Sequence, residues 1–221
     1  MTVNRRTALA GMTAAGAVLS VRETAARVGG GSGSGSPLGG WDTDAHGLPV
    51  YGFTGDLPVE TLTPSGHPYP LDPDPVFLLG NDYLTLFAFA SGRLLFMSGE
   101  HGWVRLNEPA RTAPGHAATL TVTENGATRT FDMIGMRGVC ASGRQATRSF
   151  GCGTAHYRLT PQPGLVVERI LSLAPTVAAR RDGAAVIVTI RMTNVGLTPL
   201  GIDHVETVLS NPAIGSRHAG R

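Results

Sequence analysis

The sequence contains no lysine: all 18 of its basic side chains are arginine, a skew that fits a GC-rich bacterial genome better than a functional demand. Charge of either sign is sparse. At 15% of residues the charged types fall well below the usual quarter, and the formal net charge of +2 is spread over arginines scattered through alternating segments. Neither a basic stripe nor a basic helix forms, which argues against nucleic acid as a partner.

Long apolar runs are missing too. A membrane-spanning helix needs about 20 mostly apolar residues in a row. The richest stretch, FLLGNDYLTLFAFASGRLLFMSGEHGW over residues 77–103, is interrupted by Asn81, Asp82, Ser91, Gly92 and Arg93. No membrane span is therefore expected in the mature chain. The seven histidines and two cysteines include no His-x-x-x-His or Cys-x-x-Cys spacing, so no metal is expected, and nothing in the sequence calls for a cofactor.

What the chain does have is apolar content broken by turns. Hydrophobic residues at 42% suffice for a core, and 30 glycines with 15 prolines interrupt them often, the composition of a β-rich protein. The first 28 residues look different. A charged start with Arg5-Arg6 precedes an apolar run over residues 8–21, too short to cross a bilayer and of the length of a signal-peptide core. The arginine pair resembles a twin-arginine export signal, although Ala8 stands where that pattern wants a bulky apolar residue. A frayed N-terminal helix is the other reading. Export implies a periplasmic or extracellular location. Residues 29–40, GGGSGSGSPLGG, have nothing to bury and read as a flexible linker, so the domain is expected over residues 41–221.

Within that domain the apolar pattern has the period of strands. YLTLFAFA and RLLFMS are strand-length runs joined at Ser91-Gly92, and their near-continuous hydrophobicity predicts a hairpin covered on both faces. Asn125-Gly126 between alternating runs is a strong hairpin signal. GLVVERILSLAP and AAVIVTIRMTN alternate with period two, and VGLTPL turns the chain into GIDHVETVLS. No window from Trp41 onward carries a sustained helical stripe, so the fold expected is all-β, a large antiparallel sandwich.

Three blocks in this order carry a resemblance: DTDAHGLPVYGF (residues 42–53), LGNDYLTLFAFASGRLLFMSGEHGWVRLN (79–107), and FGCGTAHYRLTPQPGLVVERILSLAP with VIVTIRMTN and DHVETVL. Together they are similar to the N-terminal β-supersandwich, a galactose-mutarotase-like fold, of the inverting disaccharide phosphorylases of the cellobiose and chitobiose phosphorylase group, and more distantly of maltose phosphorylases. In that family a helical linker and an (α/α)6 barrel with the catalytic acid follow the sandwich. The resemblance therefore implies that this chain is a non-catalytic fragment, lacking the barrel and even the last sandwich strands. It would buttress that barrel, rim a site for a β-linked oligosaccharide, and pair as a homodimer. The alternative is a stand-alone extracytoplasmic carbohydrate-binding or adhesion module, because VTIRMTNVGLTP also resembles a strand-turn signature of bacterial extracellular sandwiches.

Candidate chemistry is thin. Glycoside hydrolysis usually needs two carboxyl groups held across the scissile bond, and spacing nominates no pair among 16 acids. DTDAHG (42–47) imitates a calcium loop but has His46 at position five and Phe53 at position twelve, where a bidentate Glu belongs; it reads as a turn capping the first strand. LDPDPVF reads as a second, rigid turn. In EHGWVRLN, Trp103 offers a flat face to a sugar ring while Arg105 and Asn107, two and four residues on, would share its side of a strand and bond hydroxyls. The alternative is a core Trp103 with its neighbours at a sheet edge. His156 and Tyr157 read as packing residues. Cys140 and Cys152 are close enough for a disulfide in an exported protein, where closing a loop of about 15 residues stabilises by roughly 3 kcal/mol. Two free thiols are the other possibility.

Overall fold

The computed structural model describes residues 38–58, 74–98, 104–105, 107, 115–174 and 185–209. The expected leader and Trp103 lie outside them. The strands, in chain order, are β1 (Gly39–Thr43), β2 (Pro49–Phe53), β3 (Val76–Gly80), β4 (Leu84–Phe89), β5 (Leu94–Ser98), β6 (Val104–Arg105), β7 (His116–Glu124), β8 (Ala127–Asp132), β9 (Ala146–Gly151), β10 (Thr154–Gln162), β11 (Leu165–Leu173), β12 (Val186–Asn194) and β13 (Gly201–Val208). A 3-10 turn at Val139–Ala141 is the one helical element among the described residues, and no described helix is long and apolar enough to cross a membrane.

The strands form three antiparallel sheets, ordered β1-β2-β9-β10-β11-β12, β3-β4-β5-β6 and β13-β7-β8. The chain is an all-β sandwich. Alternation explains the layering: on β7 His116, Ala118, Leu120 and Val122 point inward while Ala117, Thr119 and Thr121 face out, and outward Thr121 and Thr123 meet Thr130 and Thr128 across the β7–β8 pair. The four-stranded sheet lies over the six-stranded one. Phe77 on β3 stacks on Phe150 of β9 with ring centroids 3.8 Å apart, and the Tyr157 hydroxyl donates to the Phe89 carbonyl at 2.7 Å. One apolar cluster, including Phe53, Leu86, Leu120, Leu159 and Leu171, spans all three sheets. Each such side chain contributes about 1.5–3 kcal/mol on burial.

The turns follow local chemistry. Asn125 and Gly126 both have positive φ, 50° and 81°, as a two-residue type I′ hairpin demands. Asp44 accepts the N–H groups of His46 and Leu48 at 2.8 and 2.9 Å, which makes 42–47 a capped turn between β1 and β2. In β10 the pairing shifts register between Leu159 and Gln162; Pro161, with no N–H to donate, sits in that irregularity.

Two expectations change. The β4–β5 hairpin is not fully covered on both faces: Leu84, Leu86 and Ala88 are buried, while Thr85, Phe87 and Phe89 are half-buried. The linker also ends earlier than its composition suggests. Gly39 and Gly40 already pair with Phe53 and Gly52 in β1, and Gly39 has φ +149°, with a Cβ there landing 2.0 Å from the Gly52 carbonyl oxygen. Glycine at this position is a packing requirement, not a mark of flexibility.

Candidate functional site

Alternation places every second residue of β11 in the core: Leu165, Val167, Arg169 and Leu171. Arg169 is thus a charge in an apolar row, 2% exposed. A buried guanidinium needs partners. Its Nη1 donates to the Gly92 carbonyl in the β4–β5 turn at 2.9 Å, and its Nη2 and Nε donate to Glu206 Oε1 on β13 at 2.6 and 3.2 Å. The guanidinium also stands 5.7 Å over the Tyr157 ring. The cluster therefore joins all three sheets at one point.

His116 on β7 completes it. The Leu94 N–H donates to Nδ1 at 3.2 Å, so that nitrogen accepts and the ring proton sits on Nε2, which donates to Glu206 Oε1 at 2.8 Å. His116 Nε2 and Arg169 Nη2, 3.3 Å apart, are then two donors converging on one carboxylate oxygen. Burial lowers the His116 pKa foremost, with Arg169 and Arg93 adding to it and Glu206 opposing; the ring is held neutral. For Glu206 burial alone would raise the pKa, but His116, His204 and Arg169 outweigh it and hold the carboxyl well below the usual carboxylate range. His204 Nε2 stands 3.5 Å from Glu206 Oε2, and neither of its buried ring nitrogens makes a full hydrogen bond.

A second polar knot lies beside it. Asp74 accepts the Ser91 N–H at 3.0 Å, the Ser91 hydroxyl, and Arg93 Nη2 at 3.2 Å, which pins the turn that carries Gly92. Arg93 and His116 line both of two adjoining cavities, one of ≈ 180 Å³ reaching Phe89 and Asn107 and one of ≈ 220 Å³ reaching Asp132 and Arg137. Both fall short of the roughly 300–1,000 Å³ of ordinary small-molecule pockets. Among the described residues no His, Cys, Asp and Glu group is arranged to hold a metal ion; in the histidine-carboxylate cluster the Arg169 charge occupies the side a cation would need.

Chemically, this arrangement holds a carboxylate ionised and engaged. A general acid requires the opposite, a carboxyl whose pKa is raised. The cluster fixes the sheets to one another; breaking such a pair by removing one partner costs about 3–5 kcal/mol.

Of the residues expected to meet a sugar, Trp103 lies outside the described residues. Arg105 is described through its backbone, which pairs with Met97. Asn107 is 1% exposed: its Oδ1 accepts the Phe96 N–H and its Nδ2 donates to the Leu94 carbonyl, both at 2.9 Å. Both polar atoms of its amide are engaged by the backbone of β5. Tyr157 is buried, as a packing residue should be. Of the two possibilities for Cys140 and Cys152, the structure has the free thiols. Cys140 lies in the core with its thiol donating to the Met133 carbonyl at 3.2 Å, while Cys152 is exposed on the β9–β10 turn. Burial pushes the Cys140 pKa up to about 11, so that thiol is inert.

Sequence reading missed the cluster itself. One signal was available: Arg169 shares its parity with Leu165, Val167 and Leu171, and Arg148 shares its own with Ala146 and Phe150 on β9. Arg148 is likewise buried, donating to the carbonyls of Gly55, at 2.8 Å, and Cys140. No known family model matches the chain, and no curated protein does.

Proposed function

We propose that this chain is the non-catalytic, carbohydrate-associated β-sandwich of a glycoside phosphorylase- or hydrolase-type enzyme, a scaffold that buttresses a separate catalytic domain and contributes to the rim of its sugar site. The observation that carries this reading is the state of the enclosed acids. Glu206 is clamped by Arg169 and held ionised, so it is not poised to protonate a leaving group, which glycoside cleavage requires; Asp74 is engaged by Ser91 and Arg93. The all-β architecture is compatible with the sequence resemblance and supports it no further. The test is an assay of the purified chain on β-linked disaccharides with and without phosphate. No product release is expected, and robust turnover by the chain alone refutes the reading.

A second reading, a stand-alone carbohydrate-binding module, is favoured by Trp41. Its indole is 71% exposed and is braced edge-on by Tyr51 with ring centroids 5.3 Å apart, which leaves a flat apolar face open to a sugar ring. Glycan-array binding that disappears in Trp41→Ala would select this reading. An array without signal would remove it.

A further inference from the structure

A third cavity is lined by no member of the Arg169 cluster. It lies between the segment that leaves β2 (residues 54–58) and the connection from β8 to β9 (133–145), and it shares Arg137 with the ≈ 220 Å³ cavity. Its ≈ 440 Å³ falls within the roughly 300–1,000 Å³ of small-molecule pockets. The two walls are fixed to each other. Arg148, buried on β9, donates to the Gly55 carbonyl on one wall at 2.8 Å and to the Cys140 carbonyl on the other. The Leu57 N–H donates to the Ala141 carbonyl at 2.9 Å, and Asp56 Oδ1 accepts the Gly143 N–H. Glycine permits this close approach: a Cβ on Gly143 would stand 2.9 Å from both Asp56 Oδ1 and the Thr54 carbonyl oxygen. Walls set before a ligand arrives lose little freedom when it binds.

The lining combines apolar and polar parts. Leu57 and Met136, both buried, supply apolar surface, and Asp56, Arg137 and Gln145, all exposed, stand around them with Ser142. Asp56 has a second oxygen, Oδ2, beyond the one that takes the Gly143 N–H. Ser142 Oγ accepts the Arg144 N–H at 3.3 Å and has its own proton to donate. Gln145 commits both backbone groups to the loop, to Ser142 at 3.1 Å and Thr160 at 2.7 Å, and brings an amide donor and acceptor to the cavity. The rim thus offers donors and acceptors together, and its one carboxylate and one guanidinium balance. That combination selects neither an anion nor a cation. It fits a neutral ring with an apolar C–H face and hydroxyls at its edge. We propose that this cavity binds one ring of a neutral saccharide, an inference that rests on the carbohydrate-associated reading above and gives it a location other than Trp41.

Ligand-observed NMR titrations of the full chain with cellobiose and with N,N′-diacetylchitobiose test this, with inorganic phosphate as the charged comparison. Asp56→Asn keeps an acceptor for Gly143 and removes the charge, and Gln145→Ala removes the amide. Both positions are exposed, so the variants keep the fold, which circular dichroism checks. Binding of at least one disaccharide is expected, weakened about tenfold by Asp56→Asn and about threefold by Gln145→Ala, and unchanged in Trp41→Ala. Binding that ignores both rim substitutions overturns the assignment; if it also disappears in Trp41→Ala, the carbohydrate reading still stands. Phosphate held as tightly as either disaccharide overturns it too, because the balanced charges then select nothing. If neither disaccharide binds, the cavity assignment falls, whereas the scaffold reading is removed only by turnover in the chain alone.

Discussion

Arg169 on β11 and Glu206 on β13 meet inside the sandwich, with Nη2 2.6 Å from Oε1, and no other ion pair among those described joins the six-stranded sheet to the three-stranded one. Two charges withdrawn from water gain little net stability over a well-packed apolar pair, yet each is costly without the other.

Removing one partner should therefore hurt more than removing both. Glu206→Ala leaves the Arg169 guanidinium without its counter-charge and is expected to cost about 3 kcal/mol. The double variant Arg169→Met with Glu206→Leu should recover most of that loss. Urea unfolding of the three proteins decides it: a double variant less stable than Glu206→Ala contradicts this account.

Acid should destabilise the fold in two stages. His116 has a folded pKa below its unfolded value, so the unfolded chain takes up the proton first and stability falls once pH drops below about 6.5. Burial shifts His156 the same way, so His116→Gln should shrink this stage without abolishing it. Glu206 has a depressed folded pKa; its contribution is complete above the unfolded value of about 4.3 and is lost as pH falls further. Urea midpoints that stay flat from about pH 7.5 to 5.5 would contradict the His116 assignment.

The two thiols should react as unlike groups. In the folded, unreduced protein Cys152 is expected to titrate at once with a chromogenic disulfide reagent, and Cys140 only after denaturant is added. No fast thiol would mean that Cys152 is blocked or bridged.

Gly39→Ala should destabilise by about 1–3 kcal/mol or more, because φ +149° suits glycine alone and the new methyl would strike the Gly52 carbonyl. Gly126→Ala, with open space at its Cβ position, should cost only the conformational share, about 1 kcal/mol. Equal denaturation midpoints for the two variants would show that β1 is not held where described.

Strand boundaries and hairpins were legible because they are local. Asn125-Gly126 and Ser91-Gly92 announce their turns through backbone freedom, and alternation along β7, β11 and β12 tells inside from outside. Alternation does not say which inward residues meet. Residues 169 and 206 come together only through the pairing of β13 with β7, whose partners are far apart in the chain, and no short-range pattern encodes that choice. The start of β1 was hidden for a different reason: a glycine chosen to fit against a carbonyl has the same letter as a glycine in a linker. Asn107 misled because a polar side chain can serve a neighbouring backbone as readily as a ligand.

The position of Glu206 also bears on how the protein is made. Arg169 leaves the ribosome 37 residues before the carboxylate that neutralises it, and chains are synthesised from the N-terminus at a finite pace. A nascent polypeptide that has delivered β11 but not β13 carries a guanidinium that must remain in water, so its largest layer cannot shut. Completion of the interior waits on translation of one late acidic codon.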